Sequence, residues 1–479
     1  MDLPRGTKRQ RKITAPEARW MTRAELVERE YSEGSILLGR DDDGRHIGTN
    51  DDRHIVTVAG SRAGKSSTCL KPNLALWQSS VLCIDPKGEL ANDTAEKRAS
   101  MGQDVYILDP FNEVKGEARK YRASYDPLNE IKAGNPDDMI DNSALIADAL
   151  IVPDKGGSSD HWSLSAKNLL RGLILWALHR DLEHGLAASL IDVRKWITAP
   201  LGDADEEDGD EVWLNTIFAE MGDTETFDGV LAGVGNTMGG KPKNEKGSIV
   251  STAVEQTAFL DSTQMQAHLS GEDLRALPSL RILKQKPTTI YLVLPASRIA
   301  THFRWLRTIL TLALATLENE PHKLGAKSPV LFVLEEFPQL GYMRQIEAAA
   351  GLMAGFNVKL WSILQDLSQL KSLYKDSWET FIGNAGVVQA FGNTDATTLE
   401  YISRAMGNLQ ITERTPTKDA PSRLGMMERE NSKGVPLLAP FEVAQYCERS
   451  TQRQIVLFAG KPPAYIYRIT HDEVTKIGG

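Results

Sequence analysis

The sequence predicts an α/β protein in which a largely parallel sheet is interrupted by an inserted block of helices. Short apolar runs rich in β-branched residues occur before about residue 130 and again after about residue 285, and they have the length and composition of buried strands. Between them, from about residue 135 to 275, apolar residues recur with helical spacing. A glycine-rich turn joins one of the first strands to a helix and indicates where the sheet would hold a ligand.

The composition is that of a globular protein with an acidic balance. Of 479 residues, 41% are hydrophobic and 25% are charged, and the net charge is −9. This charge argues against a uniformly basic surface for nucleic acid, although a local basic channel is compatible with it. Cys69, Cys83 and Cys447 lack the spacing of a metal or redox site, which favours a reducing compartment. The apolar runs 172–177 and 310–317 are shorter than the ~18 residues of a membrane span, and no signal peptide precedes the fold.

The glycine-rich turn has the features of a phosphate-binding loop. It follows the apolar run Ile55-Val56-Thr57-Val58 and precedes a stretch that can begin a helix, which is the strand–turn–helix context that such a loop requires. Backbone N–H groups of the turn and the helix N-terminus would form a concave anion site. A surface turn that matches by chance is the alternative, and the flanking strand disfavours it. The predicted nucleotide-binding residues are Gly60, Ser61, Arg62, Ala63, Gly64, Lys65, Ser66 and Ser67.

Each residue of this turn has an expected role. Gly60 and Gly64 allow the backbone to curl, and Ala59 can replace the usual first glycine if its φ stays negative. Lys65 would reach the β- and γ-phosphates, and the Ser66 hydroxyl would be a ligand of Mg²⁺. We refer to residues 59–66 as the phosphate loop.

Further strands in the first part of the chain also end in polar residues. Val81–Ile84 leads into Asp85-Pro86-Lys87-Gly88-Glu89, and Val105–Leu108 leads into an Asp-Pro pair. Polar groups at the carboxyl ends of parallel strands lie over the ligand crevice. Asp85, Lys87 and Glu89 are therefore candidates for the nucleotide site, and a capped loop that enters a helix explains them equally well.

The chain divides into four predicted segments. Residues 1–23 are a basic disordered tail, for which a contact with anionic lipid or nucleic acid is the alternative. Residues 24–134 and 276–479 are the two parts of a nucleotide-binding domain, and residues 135–275 are an inserted all-α domain.

Some shorter elements complete this division. The turn signal Asp41-Asp42-Asp43-Gly44 predicts a hairpin, and 23–31 reads as a short helix. Within the helical insert, Asp203–Glu211 is predicted to be a solvated acidic loop and Gly229–Asn244 a flexible loop. The polar segment Thr412–Lys433 is predicted to be mobile.

The second site motif is an apolar run that ends in two acids. Val330–Leu334 is followed by Glu335 and Glu336, and a run of this kind is typical of a central parallel strand. One carboxylate can bind Mg²⁺ through water, and the other can orient or deprotonate the attacking water. The next buried strand, Val358–Leu364, ends at Gln365, whose amide could sense the γ-phosphate or simply cap the strand.

Several motifs in a fixed order carry a family resemblance. Beyond the phosphate loop they are Lys71-Pro72-Asn73-Leu74, the Asp85–Glu89 turn, Asp109-Pro110-Phe111, Trp162 before a long helix, Leu334-Glu335-Glu336-Phe337-Pro338 with Leu340-Gly341, and Gln365-Asp366-Leu367-Ser368-Gln369-Leu370. From about residue 24 to 470 the chain resembles the TraG/VirD4 family of type IV secretion coupling proteins. The resemblance implies a RecA-like P-loop NTPase domain with an inserted all-α domain, which uses ATP and Mg²⁺ and forms hexamers when active. It also implies three partners: single-stranded DNA, a relaxase or other secretion substrate, and inner-membrane components of the secretion system.

Three departures from the family pattern stand out. Family members usually begin with membrane-spanning helices, and their absence from this sequence predicts a cytoplasmic protein, with a peripheral position at the inner membrane as the alternative. Glu335 stands where the family usually has an aspartate. Some relatives carry an arginine before the strand that ends at Gln365, where it serves a neighbouring subunit, and residues 353–357 contain none. Arg344 or Arg404 could replace it, and an ordinary surface position is the alternative for each.

The sequence as a whole therefore predicts an ATP-driven motor that recruits single-stranded DNA with its relaxase and pumps it into a conjugation channel. In this interpretation Glu336, Glu335 and Gln365 are catalytic, and Ser66 and Glu335 hold the metal. A receptor ATPase for secreted proteins is one alternative. A nucleotide-gated assembly scaffold with little turnover is the other.

Overall fold

The computed structural model describes residues 18–152, 160–201, 213–325, 329–416 and 428–474. Most of the predicted basic tail, up to residue 17, and the acidic stretch 203–211 lie outside these ranges. The strands are, in chain order, β1 (Ile36–Arg40), β2 (His46–Thr49), β3 (His54–Ala59), β4 (Val81–Asp85), β5 (Asp104–Leu108), β6 (Arg122–Ser124), β7 (Arg275–Ala276), β8 (Thr288–Val293), β9 (Val330–Glu335), β10 (Val358–Leu364), β11 (Ala385–Phe391), β12 (Asn408–Pro416), β13 (Glu428–Pro436), β14 (Arg453–Phe458) and β15 (Ala464–Tyr467).

The helices lie mainly between these strands and in the insert. They are α1 (Arg23–Val27), α2 (Lys71–Leu76), α3 (Glu89–Ser100), α4 (Leu128–Lys132), α5 (Met139–Leu150), α6 (Asp160–His184), α7 (Leu190–Ile197), α8 (Leu214–Gly222), α9 (Val230–Gly239), α10 (Lys243–Gln256), α11 (Thr263–Ser270), α12 (Ile282–Gln285), α13 (Ala296–Asn319), α14 (Arg344–Leu352), α15 (Leu367–Tyr374), α16 (Glu379–Gly383), α17 (Ala396–Met406), α18 (Pro440–Tyr446) and α19 (His471–Val474). Among the described helices, none combines the length and apolarity that crossing a bilayer requires.

One large sheet organises the fold. Its strand order in the described residues is β2-β1-β15-β14-β11-β3-β10-β9-β4-β8-β5-β6-β7. The strands from β11 to β7 pair in parallel, and β14, β15, β1 and β2 extend one edge in antiparallel pairing. Val56 and Val58 of β3 pack into one apolar cluster, whereas Ile55 and Ala59 pack into another, because successive side chains point to opposite faces. Helices cover both faces, and the predicted α/β fold with a parallel-rich sheet is confirmed.

The helical insert leaves the sheet after β6 and returns at β7. These two strands pair in parallel, so the helices α5 to α11 form an excursion from one edge of the sheet. The long helix α6 lies at its centre and buries Leu169, Leu173 and Ile174 completely. The inserted all-α region of the predicted fold is therefore present. The predicted domain boundaries themselves stay predictions.

The prediction of a flexible loop over 229–244 is wrong. Helix α9 occupies most of this segment and buries Leu231, Val234 and Met238, which share one face. One of its glycines permits close packing: a Cβ at Gly235 would lie 2.6 Å from the backbone oxygen of Phe218 in α8. Here glycine indicates two helices in close contact.

The polar segment after α17 and the helix near the start also differ from expectation. The strands β12 and β13 pair antiparallel from Asn408 opposite Pro436 to Pro416 opposite Glu428, and 417–427 lie outside the described residues. Backbone pairing of two polar segments satisfies N–H and C=O groups without an apolar stripe, so hydrophobic periodicity does not reveal it. The predicted helix 23–31 ends at Val27, since Glu30 pairs with β2. The predicted hairpin at 41–44 joins β1 and β2.

Candidate functional site

The phosphate loop joins β3 to a π-helical turn, Ser66–Leu70, which continues into α2. Ala59 remains in the extended conformation of β3, and Gly64 has a φ of +95°, which favours glycine. At Gly60 the need for glycine is steric and does not come from the predicted curling of the backbone. A Cβ there would lie 1.9 Å from the carbonyl oxygen of Gly392, so the loop packs directly on the chain that follows β11.

Lys65 lies in the buried floor of the loop. Its side chain is 9% exposed, and Nζ donates a hydrogen bond to the carbonyl oxygen of Ala59 at 3.1 Å. The same Nζ lies 3.3 Å from Oε1 of Glu336, so the cation has a carboxylate partner in the structure. The two predicted motifs, far apart in sequence, meet at this ion pair.

Ser66 and Glu335 form the second link between the motifs. The Ser66 hydroxyl donates a hydrogen bond to Glu335 Oε1 at 3.2 Å. Burial, together with the nearby charges of Asp85 and Glu336, raises the pKa of Glu335 to about 7. A carboxyl group with this pKa is partly protonated near neutral pH, and a cation that binds the group would favour its charged form.

Gln365 holds Glu336 from the other side. Its Nε2 donates to both carboxylate oxygens of Glu336, at 3.0 and 3.1 Å. Glu336 has a φ of +54°, an uncommon conformation for a residue other than glycine. Asn393 Nδ2 donates to the backbone oxygen of Gln365 at 3.2 Å, so the turn after β11 supports this contact.

Asp85 has the contacts of a loop cap. Its carboxylate accepts hydrogen bonds from the backbone N–H groups of Lys87, Glu89 and Ala91, at 3.3, 3.1 and 2.8 Å. Burial raises its pKa to about 6, and these hydrogen bonds oppose the rise. Glu89 forms an ion pair with Lys71. Of the alternatives for this turn, capping accounts for Asp85, whereas Lys87 and Glu89 also reach the cavity described next.

One cavity of about 480 Å³ brings together the predicted site residues other than Gly60, which packs against Gly392. Because β3, β10 and β9 are neighbours and parallel, the segments after them meet at one edge of the sheet. The cavity is lined by Ser61, Arg62, Ala63, Gly64, Lys65, Ser66, Ser67, Pro86, Lys87, Glu89, Ala296, Glu335, Glu336, Gln339, Gln365 and Arg449. A concave loop with adjacent cations can hold a phosphate chain, and the two acids line the same cavity.

Four arginines outside the site motifs differ in their relation to this cavity. Arg344 and Arg404 are exposed and do not line the cavity of their own chain, so their role toward a neighbouring subunit stays a prediction. Arg449, from the turn before β14, was not anticipated, because no motif or spacing marks it. Arg468 follows β15, and its Nη1 donates a hydrogen bond to the Ala63 backbone oxygen. A polar residue at a strand end was the only signal available for it.

Comparison with known sequences finds one family across nearly the whole chain. The family model described as "Type IV secretory system Conjugative DNA transfer" matches residues 11–472. The conjugal transfer protein TraG of Escherichia coli is 28% identical over 83% of this chain and 62% of its own length. The protein VirD4 of Agrobacterium fabrum is 24% identical over 89% of this chain and 60% of its own. The chain thus spans about 60% of the length of these relatives.

Comparison with solved structures supports the same fold. The bacterial conjugative coupling protein TrwB, in an unbound form, superposes with a TM-score of 0.64 over 95% of both chains at 15% identity. TrwB in complex with ADP and Mg²⁺ gives a TM-score of 0.64 at 15% identity and covers 95% of this chain and 94% of that one. At this identity the likeness concerns the RecA-like fold with its helical insert.

Proposed function

Because the chain belongs to the type IV secretory system conjugative DNA transfer family, as a TraG/VirD4 coupling protein, we propose that it hydrolyses ATP to drive single-stranded DNA, with its attached relaxase, into a secretion channel. One observation carries the proposal. The phosphate loop, the two acids after β9 and the amide after β10 line a single cavity. Positioning and electrostatic stabilisation are the main requirements of phosphoryl transfer, and this arrangement supplies groups for both.

The loop side of the cavity holds the nucleotide. In our proposal the backbone of residues 60–64 surrounds the phosphates, and Lys65 contacts the β- and γ-phosphates. Ser66 and Glu335 fit Mg²⁺ because they present hard oxygen ligands 3.2 Å apart. The related TrwB complex with ADP and Mg²⁺ supports this choice of ligand and metal. When bound, Mg²⁺ neutralises charge that develops on the phosphate oxygens.

The acid side of the cavity activates water. Lys65 pairs with Glu336 in the structure, and a bound phosphate chain would compete for this lysine. Once Lys65 has turned to the phosphates, Glu336 can accept a proton from the attacking water. Gln365 keeps the Glu336 carboxylate in place and can contact the γ-phosphate from the same position. Nucleotide binding would thus break the ion pair and free Glu336 to act as the general base.

Turnover assays with different cargoes test this function. We expect ATP hydrolysis by the purified chain to rise when single-stranded DNA is added. Stimulation only by a relaxase or another secretion substrate would instead identify a receptor for proteins. ATP binding with negligible turnover under all these conditions would identify a nucleotide-gated scaffold.

We also propose that the active form is a homo-oligomer, a hexamer by family resemblance, docked on inner-membrane secretion components. Arg344 and Arg404 are exposed and outside their own cavity, so either could serve a neighbouring subunit. A group supplied in trans is worth about 10³–10⁵ in rate in related phosphoryl transfers. Specific activity should therefore rise with protein concentration in a dilution series followed by light scattering, and a flat series would contradict the assembly.

A further inference from the structure

Arg449 reaches the nucleotide cavity from a part of the chain remote from all the predicted motifs. It begins a short 3₁₀ turn, Arg449–Thr451, between α18 and β14, and its exposed side chain lines the cavity together with the phosphate loop. Nearly 400 positions separate it from that loop. The contacts around it show how the fold holds it there.

The backbone just before Arg449 is tied to the start of the phosphate loop. The carbonyl oxygen of Cys447 accepts a hydrogen bond from the Gly392 N–H at 2.8 Å. Gly392 in turn packs so closely on Gly60 that a side chain at Gly60 would collide with its carbonyl oxygen. The segment that carries Arg449 therefore rests on the backbone of the loop through one intermediate residue.

The backbone of Arg449 itself is tied to the middle of the loop by Arg468. This second arginine is 3% exposed, and its guanidinium bridges two carbonyl oxygens. Nη1 donates to Ala63 of the loop, and Nη2 donates to Arg449 at 3.1 Å. The guanidinium also lies 4.5 Å from the ring centroid of Phe391, which restricts its orientation. One planar, five-donor group thus fixes the distance between the loop and Arg449.

Within the described part of the chain, no carboxylate forms a close ion pair with the Arg449 side chain, whereas Lys65 is paired with Glu336. The charge of the neighbouring Glu448 acts on Arg449 only from a longer distance, so Arg449 presents to the cavity a cation without a direct ion-pair partner. We propose that Arg449 binds the phosphate chain of the nucleotide held by the loop of its own subunit, and that Arg468 positions it. This inference rests on the proposed function and adds to it a cation that acts in cis.

Phosphate is the ligand group that the contacts favour. The contacts through Gly392 and through Arg468 both lead to the phosphate loop, where Lys65 and the backbone N–H groups that are not already bonded within the loop would bind an anion. Arginine forms charge-assisted, often bidentate hydrogen bonds to phosphate oxygens. A stacking contact with the base is the other interaction that arginine could make, and the experiment separates the two.

Binding of Mg²⁺–ATP and of tripolyphosphate, which has no base or ribose, is measured by calorimetry on the full chain. We expect Arg449→Ala to weaken both ligands by about tenfold or more, because a charge-assisted contact is lost. Arg449→Lys should recover part of this loss. Lys461→Ala is the matched control, since Lys461 is exposed in the turn between β14 and β15 and does not line the cavity. It should leave both affinities unchanged.

A double-mutant cycle tests the positioning role of Arg468. Arg468→Lys keeps a positive charge but cannot bridge two carbonyl groups in the same way. Arg468→Lys should lower the affinity for tripolyphosphate when Arg449 is present. In the Arg449→Ala variant the same substitution should cause no further loss of affinity. A general structural defect would weaken binding equally in both backgrounds.

Three results would overturn the inference. Unchanged affinity for both ligands in Arg449→Ala would exclude a contact, and weaker ATP binding with unchanged tripolyphosphate binding would assign Arg449 to the base or ribose. Additive losses in the double mutant would exclude positioning by Arg468. If the unaltered chain bound neither ligand, the proposed function would fail as well, so the two failures are distinguishable.

Discussion

The cavity at the carboxyl edge of the sheet and the helical insert between β6 and β7 bury different kinds of groups. Around the cavity, Lys65 forms an ion pair with Glu336, which has a left-handed backbone. Glu335 accepts a hydrogen bond from Ser66, and burial is the main cause that raises its pKa to about 7. In the insert, helices bury leucine, valine and methionine, and Gly235 allows α8 and α9 to touch. The first region is costly for stability and suited to a ligand. The second serves packing, so substitutions in the two regions should have separable effects.

The largest contrast should come from two buried lysines. Lys65→Ala removes the cation beside the phosphates, and we expect turnover to fall by more than about 10³-fold, with a melting temperature near that of the unaltered chain. Lys246 in the insert is 6% exposed and donates to Asn215 Oδ1 at 2.8 Å. Lys246→Ala should lower the melting temperature and leave turnover per folded molecule unchanged.

These two lysine variants are compared by ATPase assay and thermal melting of the same preparations. Substantial ATPase activity in Lys65→Ala would remove the assignment of the phosphate loop. A loss of turnover in folded Lys246→Ala would show that the two regions are not separable in this way.

The two acids should differ from each other in a second, smaller contrast. Glu336→Gln should bind ATP but not hydrolyse it, because the amide cannot accept a proton from water. Glu335→Gln should weaken Mg²⁺-dependent binding, because a charged ligand is lost beside Ser66. Each change should raise the barrier by several kcal/mol, on the order expected for loss of one positioned charge. Nucleotide binding with and without Mg²⁺, measured beside turnover, distinguishes them, and exchanged phenotypes would reverse the two roles.

Within the insert, two glycines of α9 provide a matched pair. A Cβ at Gly235 would lie 2.7 Å from the backbone nitrogen of Gly222, whereas a Cβ at Gly233 would meet nothing within 4 Å. Gly235→Ala should reduce the free energy of unfolding by about 1–3 kcal/mol through overpacking. Gly233→Ala should be neutral or stabilise by about 0.5–1 kcal/mol, because alanine favours the helix. Denaturant unfolding of both variants gives the difference, and equal effects would contradict the close approach of α8 and α9.

The smallest expected effect is the pH dependence of stability at Glu335. Its pKa in the folded chain, about 7, lies above its ordinary value of 4.5, so the folded state holds this proton more tightly. The resulting stabilisation is complete at low pH and is lost as the pH rises through about 7. Between about pH 5 and pH 8 the unaltered chain should lose about 1–2 kcal/mol more unfolding free energy than Glu335→Gln. Asp85 is present in both proteins, so its titration affects both. If the unfolding free energies of the two proteins change with pH in parallel, the pKa of Glu335 is not shifted by folding.

The regions also differ in how far the sequence predicts them. The phosphate loop and the acids after β9 are recognisable because nucleotide chemistry requires particular residues at particular strand ends. The helix α9 is not recognisable from sequence because its glycines are typical of a loop, and the close approach of α8 explains Gly235 only in the folded chain. Arg449 and Arg468 carry no distinctive local signal, because Arg449 reaches the cavity and Arg468 reaches the phosphate loop only through tertiary contacts, from positions beside antiparallel strands. Local patterns identify groups that the chemistry needs, whereas tertiary contacts decide which remote groups join them.

Movement along a DNA strand is the most direct test of the proposed motor. The measurement is displacement of streptavidin from the end of a biotinylated single-stranded oligonucleotide, in the presence of Mg²⁺ and ATP. We expect displacement by the unaltered chain at a concentration that supports assembly, and none by Glu336→Gln, which should bind ATP without hydrolysing it. Hydrolysis without displacement, or equal displacement by both proteins, would contradict an ATP-driven motor for single-stranded DNA.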